Sequence, residues 1–181
     1  NFLTGGAAVS VLARQHQIAL TVADCGVMHD FAAQPGLYQC KISYGTADSL
    51  TQPAMSIEQC ELALSNGQAL IKTLSGNALL LGEMGIGNTS AASLLLARLG
   101  GLSLEQCVGT GTGLDQDGIQ RKTKILQQVL QRHAGATEPL QALVAFGGFE
   151  IATMVGAIAE AAASNRVIVV DGFITSAAVL V

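Results

Sequence analysis

Three short apolar runs in this chain each close on an acid and a glycine. IALTVA (18–23) leads into Asp24-Cys25-Gly26, ALLL (78–81) into Gly82-Glu83-Met84-Gly85, and RVIVV (166–170) into Asp171-Gly172. Runs this short, set between longer segments of helical character, read as strands joined by helical crossovers, and such crossovers make a sheet parallel. Ligands of open parallel sheets bind beyond the carboxyl ends of the strands. The acid–glycine steps therefore fall where ligand chemistry belongs.

The intervening segments carry helix signals. Residues 1–16 space their apolar side chains as an amphipathic helix, and Ser56 with Gln59 forms a capping box opening a helix to about Leu74. Further helices are expected from about Ser90 to Arg98, from Gln116 to His133, from Pro139, and from Phe149 to Ala163, with a short turn over 103–107. Residues 30–53 are less periodic, with Pro35-Gly36 as a turn. No repeat or linker interrupts the chain, so one α/β unit over 1–181 is expected.

Composition narrows the partners. Nine Lys and Arg against 13 Asp and Glu leave a formal charge of −4, too little cation to build a duplex-binding face. The apolar stretch 142–163 is broken by Glu150 and Glu160, so no membrane span is expected. Cys25, Cys40, Cys60 and Cys107 lack C-x-x-C spacing and are read as reduced, partly buried thiols, with no metal site and a cytoplasmic setting. The start at Asn1 without methionine and the apolar finish FITSAAVLV read as a piece truncated at both ends.

Glycine stands at 21 of 181 residues, above the usual ~7%. Clusters at GEMGIGN, GTGTGLD and Gly147-Gly148 let backbone approach a ligand and leave helix N-termini facing an anion. A phosphate cradle is the physical expectation, although no Walker loop, G-x-G-x-x-G or G-x-S-x-G is present. Glu83 leaves its strand where a side chain enters the cleft. Arg121, Lys122 and Lys124 form either a solvated basic face or one phosphate ligand and two bystanders. Glu150 reads as a first-turn carboxylate favouring its helix dipole, and Arg166 as a solvated charge at a strand start. His16, His29 and His133 lie far apart and read as surface or loop residues.

Four strings are specific in combination: GEMGIGNTSAAS, GTGTGLDQDGIQRK, GGFEIATMVGAIAEAA and VVDGFITSAA. In this order they resemble the nicotinate-nucleotide–dimethylbenzimidazole phosphoribosyltransferases, and NFLTGGAAVSVLARQ and PGLYQCKISYGTADSLTQPAM fit the same family. The resemblance implies a Rossmann-like α/β fold, a three-layer single domain whose parallel sheet carries helices on both faces, in a homodimer. It implies phosphoribose transfer from nicotinate mononucleotide to a benzimidazole with inversion at the anomeric carbon, without metal or other cofactor. Glu83 and Lys122 match the family's active-site glutamate and lysine. Gly85, Ile86, Gly87, Asn88, Thr89, Gly111, Gly113, Asp171 and Gly172 match its nucleotide surroundings. Thr110 stands where many relatives carry arginine. The family's general-base glutamate lies downstream of VDGF, beyond Val181, and a D-H-G stretch of its azole pocket lies upstream of NFL. The alternative expectation is therefore a nucleotide-binding fragment or assembly module that does not turn over.

Overall fold

The computed structural model describes residues 1–109, 113 and 115–181. The chain divides into two compact units, Asn1–Gly45 and Thr46–Val181.

The first unit holds α1 (Ala8–Gln15) and two short strands, β1 (Val22–Asp24) and β2 (Leu37–Gln39), paired in parallel with Val22 opposite Leu37. β2 falls inside the stretch that reads as aperiodic, because three residues are too few to display alternation. The expected first helix begins later than its apolar pattern suggests. Residues 2–5 form a turn, and Ser10 anchors the helix by donating to the Phe2 carbonyl at 2.8 Å. Cys25 and Cys40, one step past each strand, bring their sulfurs to 3.8 Å. The Asp24 carboxylate is consumed locally. It accepts from the Gly26 and Val27 amides at 3.1 and 2.9 Å and pairs with Lys41 at 3.1 Å.

The second unit is built on a crossing of two helices, α2 (Ile57–Thr73) and α7 (Phe149–Ala163). The Ser56–Gln59 capping box opens α2 as expected. Both helices place a glycine at the crossing. A Cβ on Gly67 would overlap the Thr153 carbonyl and lie 2.7 Å from the Ala157 nitrogen, and one on Gly156 would overlap the Leu64 carbonyl. Main chain therefore packs against main chain. Arg166, just past α7, donates to the Ile71 and Leu74 carbonyls at 3.1 and 2.7 Å. It satisfies the carboxyl end of α2 and is not the solvated charge its sequence position suggests.

Against this pair lies a parallel sheet of β3 (Ala78–Leu80) and β4 (Val167–Val169), with Leu80 opposite Val169. Leu79 and Ile168 point inward and join Ile71, Ala157 and Ala161 in one apolar cluster. Leu80 and Val167 point outward and are 56% and 63% exposed. The expected α/β class with parallel pairing stands, realised among the described residues as two two-stranded sheets, one in each unit. Among the described residues, α2 and α7 pack on the inward face of β3–β4 through Ile71, Ala157 and Ala161. A continuous apolar run such as VIV does not reveal whether one face or two are packed.

The remaining helices surround α3 (Asn88–Gly100): α4 (Leu104–Cys107), α5 (Gln116–Arg132), α6 (Pro139–Phe146) and α8 (Phe173–Leu180). Buried Ser93 on α3 donates within bonding distance of the Thr89 and Cys107 carbonyls, at 2.7 and 2.9 Å. Arg98 donates to the Leu130 and Ala134 carbonyls at the end of α5, both at 2.9 Å. These contacts tie the middle of α3 to α4 and its end to the end of α5. Cys60 and Cys107 are buried in this unit, and Cys25 and Cys40 in the first, a deeper placement than partly buried.

Candidate active site

Parallel pairing of β3 and β4 brings both their carboxyl ends to one edge. The loop 81–87 leaves β3 there, exposed except at half-buried Leu81 and Glu83, and the exposed Asp171-Gly172 leaves β4 there. Gly87 adopts φ +81°, a left-handed turn that glycine takes without penalty, and it launches α3 with no side-chain cap. The first turn of α3 thus leaves amides without intrahelical acceptors, at the positive end of the helix dipole. Met84 and Ile86 project outward, Ile86 fully exposed.

Glu83 is half-buried and receives a hydrogen bond from Asn88 Nδ2 on Oε2. Gly85 makes this contact possible, because a Cβ there would overlap the Asn88 amide and lie 3.3 Å from Glu83 Oε2. Lys122, half-buried on α5, donates from Nζ to Thr89 Oγ1 at 2.8 Å. Burial lowers its pKa from the usual lysine value. Arg121 and Lys124 instead line a shallow polar depression with Asp117 and Gln120. Of the three neighbouring cations, Lys122 is the one turned toward the start of α3.

Asp115 opens α5 by accepting from the Gly118 amide at 2.8 Å. Gly113 is exposed. The expected ligand-binding Gly111, and the departure at Thr110, lie outside the described residues.

Glu150 reads from the sequence as a dipole-favouring acid, and the structure gives it a second setting. Its carboxylate folds back over Gly148, where a Cβ would lie 2.6 Å from Oε2. Its Oε1 is buried without a hydrogen-bond partner. Burial raises its pKa above the usual carboxylate range, and the Glu83 charge adds to the rise. Its own backbone N–H and the Asn88 side chain oppose it. The structure therefore gathers Glu83, Asn88, Thr89 and Lys122 with Glu150 beside them, while Asp171 and Gly172 share the edge through the β3–β4 pairing.

His16 and His29 are exposed, and His133 shares a 2.8 Å hydrogen bond with the Ser49 carbonyl. Among the described residues no group of three His, Cys, Asp or Glu side chains is placed to hold a metal. No described helix is long and apolar enough to cross a membrane. A cavity of about 460 Å³ lies between α2 and α6 beside Cys60, Leu64, Leu140 and Val144. It contains none of the residues expected to bind substrate.

Against known proteins, a family profile described as "Phosphoribosyltransferase" matches residues 1–181. The chain is 64% identical over its whole length to the nicotinate-nucleotide–dimethylbenzimidazole phosphoribosyltransferase of Variovorax paradoxus, covering 52% of that protein. It is 52% identical to the enzyme of the same name from Cupriavidus taiwanensis, covering 53% of it. The crystal structure of CobT from Thermus thermophilus superimposes with a TM-score of 0.94 at 37% identity, over 99% of this chain and 55% of that one. The chain thus spans about half the length of the relatives it matches.

Proposed function

The chain belongs to the phosphoribosyltransferase family that matches it from residue 1 to 181, and on that premise we propose that it serves phosphoribosyl transfer from nicotinate mononucleotide to 5,6-dimethylbenzimidazole. The products are α-ribazole 5′-phosphate and nicotinate, as part of cobalamin biosynthesis. The observation that carries the reading is the Lys122–Thr89 bond beside the Glu83–Asn88 pair at the free start of α3.

The residues suit the chemistry. The pyridinium of nicotinate mononucleotide leaves with its bonding electrons and needs no proton. The transition state then gathers positive charge at the anomeric carbon, which a carboxylate such as Glu83 stabilises. Lys122 and the amides of Gly87, Asn88 and Thr89 supply the cationic and N–H groups that hold a phosphate. Gly85 and Ile86 complete that loop, and Gly113, Asp171 and Gly172 line the nucleotide's surroundings. The unprotonated azole nitrogen attacks from the opposite face, and the proton on the other ring nitrogen passes to a base. A homodimer in the cytoplasm belongs to the same proposal, supported by the family relationship.

A second reading is a nucleotide-binding module without turnover, supported by the Lys122–Thr89 bond at the uncapped start of α3, which serves binding whether or not transfer follows. Proton NMR of the purified chain with both substrates separates the two. An α-anomeric ribose signal supports transfer, and its loss in Glu83→Gln assigns Glu83 to the chemistry. Broadening of nicotinate mononucleotide lines without product supports the module. Neither signal removes both readings.

A further inference from the structure

The first unit has a small core. Its buried residues are Ser10, Ala13, Asp24, Cys25 and Cys40, and each of its strands is 3 residues long. A core of this size leaves a unit marginal, and small units commonly make up the deficit with covalent cross-links. Two of those buried residues are thiols, and they touch.

Cys25 directly follows β1 and Cys40 directly follows β2. The parallel register sets Asp24 beside Gln39, so the two cysteines are the next pair along. The Cys40 amide donates to the Asp24 carbonyl at 3.1 Å and the Ile42 amide to the Cys25 carbonyl at 3.0 Å, which keeps the two segments side by side through the pair. The sulfurs share a hydrogen bond at 3.8 Å. Paired strands run about 5 Å apart, inside the separation that a disulfide spans, so rotation of the two side chains brings the sulfurs into bonding range. A cysteine that serves only as a small apolar filler needs no second sulfur against it.

We propose that Cys25 and Cys40 form a modification site for peroxide, which joins them in a reversible disulfide bolting β1 to β2. Cys25, 9% exposed against 5% for Cys40 and next to half-buried Gly26, is the attacking sulfur. The bond with Cys25, then burial, then the Cys25 and Asp24 charges push the Cys40 thiol far above its ordinary value, so Cys40 keeps its proton while Cys25 reacts. The Cys25 thiolate takes one peroxide oxygen, the O–O bond breaks, and the departing hydroxide leaves as water with the proton that Cys25 gave up. Cys40 then attacks the sulfur of the Cys25 sulfenic acid. The S–S bond forms, the S–O bond breaks, and the hydroxyl leaves as water with the Cys40 proton. Two thiols and one peroxide thus give one disulfide and two waters, the thiols losing two electrons and the peroxide gaining them. None of this depends on phosphoribosyl transfer.

The test treats the full chain with hydrogen peroxide, alkylates the remaining thiols in urea, and weighs and fragments the tryptic peptide 15–41, which carries both cysteines. The expected product is that peptide unalkylated and lighter by two hydrogens, returned to its doubly alkylated form by prior dithiothreitol, while Cys60 and Cys107 stay alkylatable. The cross-link is expected to slow hydrogen exchange of the Cys40 and Ile42 amides by about tenfold or more, because it holds both their acceptors in place. In Cys40→Ser the reaction stops one step short, and dimedone captures Cys25 as the sulfenic acid. A wild-type peptide 15–41 that remains doubly alkylated after peroxide, or that pairs with Cys60 or Cys107, would overturn the proposal. So would unchanged amide exchange in the cross-linked chain. The wild-type measurements decide the matter whether or not the Cys40→Ser chain folds.

Discussion

At the α2–α7 crossing, a Cβ added to Gly156 would run into the Leu64 carbonyl, and the neighbouring carbonyl carbon would lie at 2.7 Å. At Gly85, in the loop after β3, the added Cβ would meet only the ends of the Asn88 and Glu83 side chains. Both positions exclude larger residues, but the obstacle differs. Main chain cannot yield without moving a helix, whereas a side-chain amide swings aside. The crossing therefore holds the fold, and the loop holds an arrangement of polar groups that the fold survives losing.

That contrast can be broken at several points. Gly156→Ala should bring the largest effect, a loss of about 3 kcal/mol of stability from forcing two helices apart. Urea unfolding followed by circular dichroism measures it, and a loss below about 1 kcal/mol would mean the crossing is softer than its geometry. Lys122→Ala should leave the urea midpoint nearly unchanged. It should weaken nicotinate mononucleotide binding by tenfold or more, as expected when a charge-assisted hydrogen bond worth about 2 kcal/mol is removed. Lys124→Ala, on the polar depression, should change binding less than about twofold. Calorimetric titration compares them, and equal affinities would return Lys122 to a solvated basic face.

Gly85→Ala tests the loop directly. Stability should stay within about 1 kcal/mol of the wild type, while nucleotide affinity falls roughly tenfold as Asn88 is pushed off Glu83. Glu150→Gln should have the smallest effect, with a pH dependence. The folded chain raises the Glu150 pKa chiefly through burial, so it binds a proton that the unfolded chain releases. Stability from this group is present at low pH and is lost as pH rises through the raised value. The glutamine variant escapes that loss, so it should unfold at slightly higher urea at pH 7. The difference should shrink below about pH 4.

The two regions are unequally legible in the amino-acid sequence. The loop announces itself, because glycine, acid and apolar run stand side by side in GEMGIGN, and its partners Asn88 and Thr89 follow directly. The crossing does not. Gly67 and Gly156 each sit alone in a helical pattern, where a single glycine reads as a mild weakness. Only the pairing of residues some 90 positions apart reveals them as a contact. Arg166 escapes for the same reason, since the carbonyls it satisfies belong to Ile71 and Leu74. β2 is missed because Leu37–Gln39 is too short for a pattern. The helices with strong caps, α2 above all, are legible because capping is chemistry within four residues.

The pairing of Ala78 with Val167 also orders events in time. β3 is synthesised about 90 residues before its only strand partner among the described residues, so the segment must wait through the making of α3 to α7. Closing so long a loop is entropically slow unless α2 and α7 have already docked and brought the two strands near. The helix crossing is then expected to form before the sheet. Because the loop of Glu83 hangs from the end of β3, the polar site is then expected to take its shape late, with the sheet.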